Sequence, residues 1–346
     1  MLSLILFIII LSAIVSVHEF GHFTFAKLAK AYVYEFSIGM GKKIFGKKRE
    51  GGETEFCVRA VPLGGYVMIA GEDVEDDSIP KDRQMCNKGF FARFMILFAG
   101  AFFNFIFAFI ILFVSALIYG AVSTKPYIGD VNMDYPAYTA GIEKGDLVLS
   151  INGEKVSNWD KGLVMLQTTN GEAVVFEVMK MDGTVQKYTV EPKLEKAEDG
   201  TESYKFGIST QYKKEKGFGK SLSYAWNKTF SLFGSMWDTL KYLFTGKVGV
   251  NQLSGPVGIY SIVDSQAEQG LEAVLYLVAY LSINVGLINL LPFPAFDGGR
   301  ILFLFIEKIF RKPVSKRVEG IIHSIGFFLI LALLVYVTFN DILRLF

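Results

Sequence analysis

The chain opens on an apolar run, Leu2–Phe25, that carries His18-Glu19-Phe20-Gly21-His22 towards its end. A helix needs about 20 apolar residues to cross a bilayer, so this run is confined to a membrane span. Ionisable residues at that depth are costly and mark function by default. His18 and His22 stand four apart, so on a helix both imidazoles share one face and can grip one metal ion. Glu19 lies beside them, where a carboxylate can take a proton from an attacking water. H-E-x-x-H on a helix is therefore two zinc ligands and a general base on one turn. Zinc supplies water activation and carbonyl polarisation, which peptide hydrolysis needs. The plain alternative is a chance match. Two of only 3 histidines inside lipid-like sequence argue against it.

Further apolar stretches occur at roughly Phe94–Ala121, Leu271–Leu291 and Ile321–Thr338, which makes four candidate spans. With 51% hydrophobic residues and a net charge of +1, the chain fits a membrane protein with a soluble portion. It lacks the basic surface that nucleic acid would require. The first run has no basic leader and no small-residue cleavage site after it, so it is expected to stay in the mature protein. Lys27, Lys30, Lys42, Lys43, Lys47, Lys48 and Arg49 follow the first span, and Arg93 precedes the second. Arg300, Lys308, Arg311, Lys312, Lys316 and Arg317 fill the loop between the third and fourth. Both basic loops are expected in the cytoplasm, with both termini and the long middle segment outside. Cys57 and Cys86 form no CxxC pair and are read as reduced thiols without a role.

Two β-prone runs within Glu53–Gly71 flank Pro62-Leu63-Gly64-Gly65, which predicts a hairpin. One reading is a cytoplasmic loop with incidental strands; the other is an exposed edge on which an extended substrate adds a strand. Asp73–Lys88 is polar and acid-rich, a solvated loop. In the second span Gly100 and Ala101 allow close helix packing, and Asn104 is expected to bond across to another helix.

Lys125–Lys193 reads as a soluble domain. A short helix ends at Gly141, a strand runs Leu147–Ile151, and Asn152-Gly153 is a hairpin turn. Val174–Val178 and Val185–Val190 alternate as closing strands around Asp182-Gly183. The segment resembles a PDZ domain of the bacterial protease type, either a peptide binder or a size filter. Lys193–Lys220 reads as a linker, and Phe218–Phe244 as an amphipathic helix on the outer leaflet or a soluble core helix.

The third span carries Asn284 and Asn289 and ends Asn289-Leu-Leu-Pro292-Phe-Pro294-Ala-Phe-Asp297-Gly-Gly299. Prolines and glycines around one carboxylate break the helix there, and irregular backbone at membrane depth survives only where it is buried in protein or lines a cavity. Asp297 is the candidate third zinc ligand; the alternative is an interfacial Asp in a helix-ending turn. His323 reads as an interfacial histidine, and as the next candidate ligand should Asp297 fail.

With both centres in hand, the chain resembles the site-2 protease family of intramembrane zinc metalloproteases, closest to its bacterial regulator-of-sigma-E protease branch. The resemblance rests on His18–His22, Val61-Pro-Leu-Gly-Gly-Tyr-Val67, the PDZ-like segment, Leu253-Ser-Gly-Pro-Val257 and Asn289–Gly299. It implies Zn2+ held by His18, His22 and Asp297, with Glu19 as base. It also implies substrate binding by Gly64, Gly65, Tyr66, Asn284, Asn289 and Pro292. Phe296 stands where the family commonly has Leu, and one PDZ-like copy stands where its best-known members have two. The implied substrates are transmembrane segments of single-span proteins, such as anti-sigma factors or remnant signal peptides, in the bacterial inner membrane. The active site would lie near the cytoplasmic side.

The expected fold is a polytopic α-helical membrane protein with about four transmembrane helices, a cytoplasmic β-hairpin and an inserted extracytoplasmic PDZ domain. Its parts are 1–122 (two spans and hairpin), 123–195 (PDZ), 196–270 (linker and surface helices) and 271–346 (two spans with the Asp-Gly motif). A transporter using the same polar residues would need no metal and gives no reason for histidines four apart. A catalytically dead adaptor would not need every catalytic part.

Overall fold

A computed structural model describes residues 2–343 apart from 73–74, 170, 197–201, 211–212 and 250–252. In chain order the helices are α1 (Leu2–Leu28), α2 (Phe90–Tyr119), α3 (Pro136–Ala140), α4 (Trp159–Gln167), α5 (Phe218–Phe244), α6 (Pro256–Glu268), α7 (Leu271–Leu290), α8 (Asp297–Phe310) and α9 (Lys316–Leu343). The longer strands are β1 (Val33–Lys48) and β2 (Glu55–Ile69). Shorter ones follow as β3 (Ala121–Val122), β4 (Asp130–Val131), β5 (Leu147–Ile151), β6 (Glu154–Lys155), β7 (Val174–Met179), β8 (Val185–Val190), β9 (Lys193–Lys196), β10 (Glu202–Lys205), β11 (Ile208–Ser209) and β12 (Lys214–Glu215). Of these helices α1, α2, α7 and α9 are long and apolar enough to cross a membrane, one on each apolar run of the sequence. The chain divides into two compact units, Met1–Ala108 with Gly255–Thr338, and Phe109–Ser254 with Phe339–Phe346.

In the first unit α1 and α2 meet at Gly21, where a Cβ would lie 2.3 Å from the Ala99 carbonyl oxygen. Lipid gives helices no hydrophobic reason to associate, so contact between small residues supplies the packing. Below that crossing Ala26, Ala31, Val33, Ile69, Ile96, Leu97 and Leu304 form one buried cluster.

The expected hairpin is a wider sheet. β1 pairs antiparallel with β2 in more than one register: Phe36 opposes both Val67 and Phe56, and Lys47 also opposes Phe56. The ladder is thus four segments across, in the order 43–48, 55–61, 33–40 and 65–69. Gly39 and Gly41, at φ +84° and +81°, let β1 fold back on itself. A uniformly β-prone sequence hides that fold. Gly65–Ile69 is left as the edge, packed along α1. The following segment, expected as a solvated loop, is organised around buried Gln84, whose amide donates to the Asp76 and Ile79 carbonyls at 2.7 and 2.8 Å. Residues 73–74 of that loop lie outside the described ones.

α8 also departs from expectation, since its residues were read as the loop between the third and fourth spans. It is short, amphipathic and half-buried, with Gly298, Gly299 and Leu304 inside and Ile309 and Phe310 outside. Its length is below that of a span, and its basic residues resemble loop sequence.

The second unit holds a four-stranded sheet in the order β6-β5-β7-β8. Ile128, Val148, Ile151, Trp159, Val174, Phe176, Val178 and Phe206 are buried at its core. Gly141 caps α3 in the left-handed conformation (φ +96°), and the Asn152-Gly153 turn joins β5 to β6, as the sequence indicates. The segment read as a linker contributes to this fold. Phe206 stacks edge-on against Phe176 (5.5 Å), and β11 pairs with β4. Only a sheet partner distant in sequence gives those residues a role. α5 turns Ser221, Ala225, Leu232 and Ser235 inward and exposes Phe218, Trp226, Phe230, Trp237 and Phe244. Asp160 of α4 ties it down, accepting from Lys228 at 2.6 Å and from Ser231.

Candidate active site

All parts of the candidate site lie in the first unit. α1 carries His18 and His22 on one face, with ring centroids 4.8 Å apart. α7 ends at Leu290, and the Pro292–Pro294 break swings the chain so that α8 begins at Asp297. A carboxylate in the first turn of a helix is favoured by the exposed N–H groups there. The turn is tight. A Cβ on Gly298 would lie 2.2 Å from the Leu291 carbonyl oxygen, and one on Gly299 2.5 Å from that of Phe293. Ala295 sits at φ +82°, unusual for a residue with a side chain. Its N–H donates to His323 Nδ1 at 3.0 Å, so His323 supports the loop.

These elements bring three donor atoms together. His18 Nε2 lies 3.0 Å and His22 Nε2 3.2 Å from Asp297 Oδ2, and the two nitrogens are 3.1 Å apart. Two imidazoles and one carboxylate converging on one point fit a zinc site with a position left for a reactant. The other ring nitrogens are held as well: His22 Nδ1 donates to the Ile96 carbonyl at 2.8 Å, and His18 Nδ1 faces the Asn104 amide at 3.3 Å. Such outer partners fix ring orientation and tautomer in metal sites. Asn104 is fully buried, and its side-chain oxygen, turned away from His18, has no hydrogen-bond partner among the described residues. Turned about, that oxygen would accept from a His18 that offers Nε2 to a metal. Gly100, one turn before Asn104, leaves the space: a Cβ there would come within 2.5 Å of His22 Nε2 and 2.6 Å of His18 Nε2.

Glu19 Oε2 accepts the Val67 backbone N–H at 3.1 Å, which holds the carboxylate against the sheet edge. Gly65 is also close to it, and a Cβ on Gly65 would strike the Ser37 carbonyl oxygen at 2.6 Å. A cavity of about 360 Å³ joins His18, Glu19, His22, Val67, Asn289 and Asp297, with Glu72 and Arg300 at its wall.

Of the expected substrate contacts, Asn289 lines this cavity and donates to its own helix at Val285. Gly64 and Gly65 lie at the start of the edge segment. Tyr66 turns to the other face, where its hydroxyl donates to Glu35 at 3.0 Å and Arg59 lies over its ring. Burial would raise the Glu35 carboxyl, but hydrogen bonds from Arg59, Tyr66 and Cys57 hold it below the usual range. Asn284 and Pro292 are not among the lining residues. Reading the sequence missed Gly100, the pairing of Asn104 with His18, the Val67 N–H, Glu72 and Arg300. The one available signal was spacing: Gly100 and Asn104 are four apart, and Arg300 is three past Asp297.

Comparison with known proteins gives the family. The model of Peptidase family M50 matches residues 6–333. The zinc metalloprotease RasP of Shouchella clausii is 33% identical over 422 aligned residues, covering 99% of both chains. The regulator of sigma-W protease RasP of Bacillus subtilis is 32% identical, again across 99% of both. The zinc metalloprotease RasP of Oceanobacillus iheyensis is 30% identical across 100% of both. A match that runs almost end to end through both histidines and Asp297 leaves one assignment: the chain belongs to peptidase family M50, the site-2 protease family that its motifs resemble.

Proposed function

We propose that this peptidase is an intramembrane zinc metalloendopeptidase that cuts transmembrane segments of single-span proteins. The observation that carries it is the convergence of His18, His22 and Asp297 within 3.2 Å beside Glu19, in a chain with four candidate spans. His18 Nε2, His22 Nε2 and Asp297 Oδ2 would hold the zinc, which when bound polarises the scissile carbonyl and acidifies water. Glu19 keeps one oxygen on the Val67 N–H and uses the other to take the proton of the attacking water. It then passes that proton to the leaving amine as the C–N bond breaks. The Gly65–Ile69 edge takes the unwound substrate as an added strand, which gives a backbone otherwise closed in a helix somewhere to bond.

The basic residues support a sheet and site towards the cytoplasm and a 123–195 domain, of PDZ type, outside. A relative named for regulating sigma-W supports anti-sigma factors as substrates.

The test compares zinc per protein and cleavage of a labelled transmembrane peptide across three chains. Glu19→Gln keeps zinc and loses on the order of 10²–10⁴-fold in rate. Asp297→Asn loses both, because it removes the charge that balances a divalent ion. An Asp297→Asn protein that holds zinc as tightly as Glu19→Gln would remove Asp297 from the ligand set.

A further inference from the structure

Two charged side chains in the cavity have no part in these roles. Arg300 lies one turn past Asp297 on α8, so both project to the same side. Glu72 follows the end of β2 by three residues. Arg300 Nη1 donates to Glu72 Oε1, and Lys316 Nζ, at the start of α9, donates to the Glu72 backbone carbonyl at 3.1 Å. The Glu72 N–H in turn donates to the Ile69 carbonyl at 3.3 Å. The edge segment is therefore fastened at two points, to α1 through Val67 and Glu19, and to α8 and α9 through Glu72.

Backbone groups of alternate residues in an antiparallel strand point to opposite edges. The Ala70 N–H joins the Tyr32 carbonyl and the Val67 N–H leaves for Glu19, so Gly65, Val67 and Ile69 are the residues that face outward. The Val67 N–H and the Ile69 carbonyl are already taken. An added strand is left Gly65, the Val67 carbonyl and the Ile69 N–H as its rungs, a short ladder that holds register weakly by itself.

We propose that the Glu72–Arg300 pair is a positioning clamp that sets the register between the added substrate strand and Asp297, and so selects the bond that is cut. This rests on the reading of the edge and of Asp297 given above. A slip of one residue moves the strand by about 3.3 Å and reverses its faces, whereas reaction geometry tolerates only about 1 Å. The side chains are 29% and 24% exposed, where an ion pair adds little to stability. Its effect is on geometry: it is a side-chain link between the element that holds the substrate and the helix that carries the third ligand.

The experiment uses the full chain in lipid nanodiscs with a labelled transmembrane peptide, and products are mapped by mass spectrometry. The unmodified chain, Glu72→Gln, Arg300→Gln and the swap Glu72→Arg with Arg300→Glu are compared. Each single variant is expected to spread cleavage over neighbouring bonds and to lose on the order of 10- to 100-fold in kcat, with KM little changed. The swap restores one dominant bond, and zinc per protein is equal in all four. A second readout needs no turnover: in zinc-free protein, amide exchange at Gly65–Ile69 quickens in the single variants and slows again in the swap.

An unchanged cleavage map and rate in both single variants overturns the clamp. So does loss of zinc from Arg300→Gln, which would make it a metal-holding residue. Loss of rate at one unchanged bond without rescue by the swap overturns it too, in favour of direct contact with the substrate. If the unmodified chain cleaves nothing, the reading of the site fails instead, and the exchange measurement still decides the clamp.

Discussion

Glycines around the candidate site in the first unit and glycines in the sheet turns of the second solve different problems. Gly21, Gly65, Gly100, Gly298 and Gly299 lie outside the left-handed region, yet a Cβ on any of them would come within 2.6 Å of a backbone oxygen or an imidazole nitrogen. Gly141, Gly153 and Gly183 sit at φ +96°, +79° and +87° in turns, and a Cβ on either of the last two would meet nothing within 4 Å. The first group buys proximity and the second conformational freedom. The contrast follows from the solvent. A domain in water is driven together by burial of a core such as Ile128, Val148 and Phe176, and its chain needs only to turn sharply between strands. Helices in lipid have no such drive and are held where small residues let backbones touch. In this chain those contacts adjoin the candidate site, so packing and the proposed chemistry share residues in the first unit.

The sharpest way to break that comparison is in the second unit. Phe176→Ala removes a fully buried ring and should cost about 3–5 kcal/mol, read as faster amide exchange in β5, β7 and β8 of the full chain. Zinc content should not change. Zinc lost from that variant would mean that the metal centre depends on the second unit's fold.

Next comes Gly100→Ala, one added methyl at the helix contact. In a soluble core this would be a mild change; here it meets both Nε2 atoms. Zinc affinity and activity are expected to fall on the order of 10²-fold, measured by competition with a chelator, while helix content by circular dichroism is retained. Retained affinity would show that the α1–α2 contact relaxes and that proximity is not its purpose.

The smallest effect sharpens the contrast further. Asn104→Leu keeps volume but removes the amide that faces His18, and with it the oxygen that could turn to accept from the ring, and should weaken zinc by about 10- to 100-fold. Asn104→Asp should restore it. A purely structural asparagine would give the reverse order, since a buried carboxylate without a partner destabilises the helix pair.

How far the sequence could be read follows the same division. Histidines four apart and a carboxylate among prolines and glycines are local signals, so His18, His22 and Asp297 stand out. Length and hydropathy mark the spans for the same reason. The strands of the second unit were legible from alternation and turn residues, whereas Phe206 and β11 were not, because their partners lie far away in sequence. Gly100 and Asn104 could be read as packing residues, but periodicity gives a face and not a neighbour. Arg300 reads as one more basic residue in a cytoplasmic loop until α8 is seen to place it a turn from Asp297. The role of the Val67 N–H left no trace, since a backbone group carries no side-chain signal.

That backbone contact also bears on inhibitor chemistry. A strand mimic with a zinc-binding group meets an edge whose Val67 N–H is already engaged by Glu19. A carbonyl placed to accept that N–H therefore adds nothing and can be replaced by a methylene, which removes a polar group that must be desolvated on entering the membrane. The amide nitrogen that faces the Val67 carbonyl has to stay unmethylated. At the Val67 rung potency should accordingly reside in the donor of the mimic rather than in an acceptor.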